Sequence, residues 1–207
     1  MEYYGEKPKR FSKEWWENYV YYYKKHTIIG ICAVLVLGYI IYTDVTATKY
    51  DLQIDYISEL GIFQEQTAKI EELASGAIDD VTGNDVCDAF VMPIDMAPSN
   101  DMQYGQAMQV KYMTEMGYSE GFVFIVSKKY ADEMAGSGFF EEASLWTNAE
   151  DGAECVSLAG CQKLEGLAMP LDELYVGVRK LRDDEKEEEK AIAKYENGIK
   201  FAKFLVE

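Results

Sequence analysis

The chain has 207 residues, of which 37 are acidic and 20 basic, for a formal net charge of −17. Residues 1–26 hold six basic and four acidic side chains, so 14 basic and 33 acidic remain beyond them, a net of −19. That balance argues against a nucleic-acid partner, because phosphate binding needs concentrated Lys and Arg. With 48% hydrophobic and 14% aromatic residues, the chain is too apolar for a disordered tail and can bury a real core.

Between Lys25 and Asp44 run eighteen residues with no formal charge, HTIIGICAVLVLGYIIYT. Their length predicts a membrane-spanning helix at 27–43. Trp15, Trp16, Tyr19, Tyr21, Tyr22 and Tyr23 precede it, and Tyr39 and Tyr42 stand near its far end, as expected of rings that settle in the headgroup layer. The leader is long for a cleaved signal peptide, so the segment reads as a retained anchor. The competing readings are a signal cleaved after Val45-Thr46-Ala47 and a buried core helix. Cys32 follows bulky Ile31 and reads as an apolar side chain of the span, with no lipid attachment.

Lys7, Lys9, Arg10, Lys13, Lys24 and Lys25 precede the span, and only Lys49 follows closely. Basic residues stay on the cytoplasmic side. The expected organisation is therefore a cytoplasmic basic and aromatic segment at 1–26, the helix at 27–43, a linker at 44–49 and an extracytoplasmic domain at 50–207.

Within that domain, Tyr50 to Tyr56 alternates apolar and polar residues and predicts a strand. Phe63, Thr67, Ile70, Leu73 and Ala77 recur at helical spacing, with Gly76 near the end. Cys87 to Met92 predicts a second strand stopped by Pro93, and Tyr104 to Met116 a helix stopped by Gly117. Phe122 to Val126 predicts a third strand. Ser127 is expected to cap a helix that runs to about Ala135. From Gly138 to Gly166 no period persists, beyond a possible hairpin around Cys155 to Cys161. Leu174 to Val178 predicts another strand. RKLRDDEKEEEK then reads as the solvated start of a C-terminal helix carrying Ile192, Tyr195, Ile199, Ala202 and Leu205. Strands alternating with helices predict an α/β domain with a parallel or mixed sheet flanked by helices.

Three segments resemble known families. GFVFIVSKKYADEMAGSGFFEEAS is similar to a strand, helix and exit found in extracytoplasmic solute-binding proteins of ABC importers, and KYENGIKFAKFLVE is similar to their late helix. WWENYVYYYKKHTIIGICAVLVLGYIIYT resembles the anchor of small single-pass membrane proteins of Gram-positive-type bacteria. The chain is shorter than a two-lobed binding protein and has no lipobox, so the resemblance implies a reduced, one-lobe relative of the periplasmic-binding fold.

Little in the sequence points to catalysis. The one histidine, His26, lies at the start of the apolar run, so the exterior domain has no Ser-His-Asp or Cys-His set and no His-based metal site. No phosphate-binding glycine loop is present. No cofactor is expected. Asp79 to Asp85 has the oxygen-rich look of a calcium loop, with Asp80, Asn84 and Asp85 as candidate ligands, but Asp85 replaces the glycine of the sharp turn. An Asx-type turn is the expected reading. Cys155 and Cys161 bracket a loop short enough to close with a disulfide, and two buried thiols are the other reading.

In α/β sheets, ligands bind beyond the carboxyl ends of the strands. There the candidate ligand-binding residues are Ser58, Glu59, Asp95, Met96 and Ser127, and ordinary connecting loops are the other reading of these segments. Met92, Met96, Met102, Met108, Met113 and Met116 cluster within 25 residues and are expected to fill the core along the Tyr104 helix. The expected function is a membrane-anchored binding or envelope-complex assembly module, without catalysis. The expected partners are the membrane, other envelope or transporter proteins and a small-molecule ligand, with no nucleic acid. The alternatives are a solute receptor for an ABC importer and an extracytoplasmic hydrolase of unrecognised type.

Overall fold

The computed structural model describes residues 9–46 and 49–207. Residues 1–8 of the expected cytoplasmic segment and residues 47–48 of the expected linker lie outside them. The chain divides into two units, Met1–Thr48 and Lys49–Glu207.

Among the described residues the first unit has one helix, α1 (Lys13–Thr46). Ser12 opens it, its Oγ accepting the Trp15 N–H at 3.2 Å, which satisfies one of the free donors of the first turn. Tyr19–Thr43 is long and apolar enough to cross a membrane, and none of its most apolar stretch is buried against protein. Trp15 and Tyr23 both stack on Tyr19, each with ring centroids 5.5 Å apart, because positions four apart share a helix face.

In the second unit the sheet is built on β1 (Leu52–Ser58), whose two edges are both paired in parallel, to β2 (Ala89–Asp95) and to β3 (Val123–Ser127). β5 (Leu174–Val178) runs antiparallel to β3, and β4 (Cys155–Ser157) antiparallel to β5, giving the order β2-β1-β3-β5-β4. The sheet is therefore mixed, within an α/β domain. The β1-to-β2 crossover contains α2 (Gln64–Ser75) and the β2-to-β3 crossover α3 (Met102–Tyr118). The two crossovers step in opposite directions along the sheet, so their common handedness sends the helices to opposite faces.

Strand alternation divides the core accordingly. Leu52, Ile54, Tyr56, Val123, Ile125 and Val176 pack under α2 and α5 (Glu189–Val206), against Ile70, Ala74, Phe201, Ala202 and Leu205. Ile57, Ile94, Phe124 and Val126 face α3 and α4 (Lys128–Met134), against Tyr112, Tyr130, Ala131 and Met134.

Three sequence expectations need correction. Pro93 does not stop β2, which continues to Asp95. β2 is an edge strand: the Ala89 and Val91 N–H groups already point outward, to Ser75 Oγ at 3.3 Å and Glu71 Oε1 at 2.9 Å. Pro93, two residues on, falls on the same outer side, where a missing donor costs the sheet nothing. Gly117 does not stop α3, which runs to Tyr118 and starts two residues early because the Asp101 carboxylate accepts the Gln103 and Tyr104 N–H groups.

The charged run before α5 is not simply solvated. Its Glu185 is buried, bound by Arg179 at 2.8 and 2.9 Å and by Arg182 at 2.5 Å. Of the two readings left open for Cys155 and Cys161, the structure has the free thiols. Cys161 packs under α2 and α5 with its thiol donating to the Leu205 carbonyl at 3.0 Å, whereas Cys155 packs on the opposite face of the sheet. Burial pushes the Cys155 thiol up to about 12.

α5 lies close on the sheet because Gly198 has no side chain: a Cβ there would stand 3.0 Å from Phe122 Cβ and 3.4 Å from a Val123 methyl. Gly198→Leu should therefore overpack this contact and cost about 1–3 kcal/mol. Thermal melting of the full chain in detergent checks this, with a drop of several degrees expected. An unchanged melting temperature would contradict the close packing of α5 on β3.

Candidate functional site

The parallel strands β2, β1 and β3 end side by side, and the five candidate residues lie at those ends. Between β1 and β3 the chain direction of the crossovers reverses, the place where α/β sheets open a crevice. Here that crevice is latched. Ser127 Oγ donates to Glu59 Oε2 at 2.8 Å, and Lys129 Nζ meets Glu59 Oε1 at 2.7 Å. Burial alone would raise the Glu59 carboxyl, but the hydrogen bonds from Lys129 and Ser127 prevail and hold it below its ordinary range. Ser127 thus does not cap α4 as expected; its hydroxyl is spent on Glu59.

The open space lies one strand over, beyond β1 and β2. A cleft of about 520 Å³ is lined there by Tyr56, Glu59, Phe63, Asp95, Tyr104 and Met108, among others. Asp95 leaves β2 with one carboxylate oxygen accepting the Ala97 N–H at 2.9 Å and the other accepting the Tyr104 hydroxyl at 3.3 Å. Burial and then the Asp95 charge raise the Tyr104 phenol; a phenol is protonated at neutral pH in any case, so it is the donor of this pair. Phe63, the residue before α2, is 78% exposed at the rim, an apolar surface open to a ligand.

The other candidates take supporting places. Ser58 is fully buried; its Oγ accepts the Leu60 N–H at 3.0 Å and its carbonyl the Met96 N–H at 2.9 Å, which fixes both loops. Met96 packs into the core on the α3 and α4 side and does not line the cleft. Glu59 and Asp95 are thus brought to one cleft, with Ser58 beneath it and Ser127 beside it. Tyr56, Phe63 and Tyr104 were missed because an aromatic at a strand end or in a first helical turn reads as core or rim until the topology is known.

The methionines also divide. Met92, Met96 and Met116 pack on the core, Met108 lines the cleft, and Met102 and Met113 are 76% and 64% exposed. Core filling therefore describes only part of the cluster.

The Asp79–Asp85 loop spends its oxygens on itself. Asp80 accepts the Gly83 N–H at 2.7 Å and the Asp85 N–H at 2.8 Å, and Asn84 Oδ1 accepts the Val86 N–H at 2.9 Å. Asp85 holds φ at +63°, a left-handed turn that Asp tolerates better than most residues. Buried Asp51 pins the loop by accepting from the Val81, Thr82 and Asp88 N–H groups. Among the described residues, no group of three or more His, Cys, Asp or Glu side chains is placed to hold a metal.

A second buried carboxylate lies deeper. Asp55 on β1 is fully buried, accepting from Ser119 Oγ at 2.5 Å and Gln53 Nε2 at 2.9 Å. Gly121 makes room for it, since a Cβ there would stand 2.6 Å from Asp55 Oδ2. Burial raises the carboxyl to about 6 against those hydrogen bonds.

No family model, no curated protein and no solved structure matches this chain.

Because folding raises the Asp55 pKa, its stabilising contribution is complete below the ordinary value of 3.8 and is lost as pH rises through about 6. Between pH 7 and pH 4.5 this group should add about 2 kcal/mol on acidification, relative to Asp55→Asn. Melting both proteins across that range tests the assignment. A difference between them that does not change with pH would contradict it.

Proposed function

We propose that this chain is a membrane-anchored binding module that works without catalysis. In this reading α1 crosses the bilayer with the N-terminus cytoplasmic, and the acidic α/β domain is displayed outside. The one long apolar helix among the described residues supports anchoring, and the basic residues that precede it support the direction.

The observation that carries the reading is the cleft beyond β1 and β2. Its walls are largely apolar and aromatic, with Glu59 and Asp95 as polar groups held at fixed positions. Such a composition suits a small molecule with an apolar body and a positively charged group. The carboxylates are engaged by Ser127, Lys129, Tyr104 and a backbone N–H, an arrangement that suits recognition better than proton transfer. A narrower reading, a receptor that passes a solute to an ABC importer, draws on the same cleft together with the solute-binding-like segments. The assembly role requires a protein partner and is compatible with either.

Thermal-shift screening of the full chain in detergent against metabolites, amines first, tests the proposal. A ligand at 100 times its dissociation constant should add about 2.7 kcal/mol of stability. Ala97→Trp, which fills the cleft from its wall, should abolish the shift while leaving the unliganded melting temperature within a few degrees of the native value. A shift that survives Ala97→Trp would place binding elsewhere. A screen with no stabilising compound would contradict the small-molecule reading.

A further inference from the structure

α3 differs from the other helices of the domain in what it turns to solvent. Every exposed residue of α4 is charged (Lys128, Lys129, Asp132 and Glu133), and so is every exposed residue of α5. α3 has eleven exposed residues and none is charged. Its only charged side chains are half-buried and engaged: Lys111 Nζ donates to the Pro93 carbonyl at 2.9 Å, and Glu115 accepts from Gln53 at 3.5 Å. Tyr112 is the one buried residue of the helix. On the side opposite Tyr112, at 100° per residue, Val110 is 65% exposed, flanked by Met113 at 64%, Met102 at 76% and Tyr118 at 81%.

The charge pattern selects the occupant. A basic partner would gain more by settling on the carboxylates that give the rest of the chain its net of −19. An uncharged strip on so acidic a surface instead fits a partner that is acidic itself, because two like-charged surfaces approach at least cost where neither carries charge. A second copy of this chain has that property, and copies anchored in one membrane meet at a raised local concentration.

We propose that the outward face of α3 is a two-fold interface between two copies, the helices antiparallel with Val110 near the axis. In an isologous contact Val110 meets its counterpart, and Met113 of one copy faces Gln106 of the other. Gly117 then faces the Met102 end of the partner helix, where its missing side chain leaves room for the methionine. Seventeen residues give a strip about 25 Å long, burying about 1,000 Å² in total, at the low end for a specific interface. Confinement to the membrane offsets the modest area. Tyr104 and Met108 lie off the strip, so the cleft stays open in the dimer.

The test uses the full-length chain carrying Cys32→Ser and Cys87→Ser, which removes the thiols of α1 and of the segment before β2; the partly buried Cys155 remains and is common to every variant compared. With Val110→Cys added, copper-phenanthroline oxidation in membranes should give a band at twice the chain mass. The same oxidation with Glu196→Cys on α5 should give none. Val110→Glu should convert the detergent-purified native dimer to a monomer by light scattering while its melting temperature stays within a few degrees. Three results would overturn the proposal: Val110→Cys forming no more dimer than Glu196→Cys, a native chain that is monomeric and does not cross-link, or a Val110→Glu chain that remains dimeric through α1 or another surface.

Discussion

β1 is the element on which the domain depends. It is paired on both edges and covered on both faces, and no solvent reaches Asp51 or Asp55 at its start and middle. A carboxylate in such a place is costly unless its oxygens are satisfied. Asp51 meets that demand with three backbone N–H groups of the 81–88 segment, so the desolvation cost of one residue fixes a whole loop. Asn197 carries the same loop to α5 through hydrogen bonds to both backbone groups of Asp79. Asp55 is satisfied by Ser119 and Gln53, which ties the exit of α3 back to the central strand.

The polar interior continues from there. Arg182 donates to the Ser119 carbonyl and to Glu185, and Arg179 holds Glu185 from the other side while lying 4.3 Å over the Phe122 ring. Burial pulls the Glu185 carboxyl up, but the hydrogen bonds from Arg179 and the Arg182 N–H outweigh it and keep it below the ordinary range. Removing Arg179 would leave buried Glu185 to Arg182 alone and take the side-chain donor from the Gly121 carbonyl, a destabilising loss. This network closes the sheet at the end opposite the candidate cleft. The opposite end, where the candidate cleft lies, is lined largely by apolar and aromatic residues.

What the sequence made legible follows the strength of local periodicity. β1, β3, β5 and α2 were readable because an apolar run or a helical spacing persists over several residues, but the alternation in β1 misleads about burial, since Asp51 and Asp55 lie inside with its apolar residues. The 138–173 segment was not, because its three short 3-10 turns and three-residue β4 are held by tertiary contacts such as Leu158 N–H to the Leu174 carbonyl. The place of Pro93 depends on which strand lies at the sheet edge. The fate of Ser127 depends on Glu59, 68 residues earlier. Glu185 looked solvated because one sequence cannot show that Arg179 and Arg182 converge on it. Of the candidate site, the strand ends were legible and the aromatic walls were not, since the walls come from loops that only the fold brings together.

The account rests on a domain displayed outside the cytoplasm by a single retained helix. In a Cys87→Ser background, cysteine placed at Lys9 or at Glu207 can be probed in intact cells with a membrane-impermeant maleimide. The account predicts labelling at position 207 and, at position 9, labelling only after the cells are lysed. Labelling at position 9 with protection at 207 would invert the topology and contradict it.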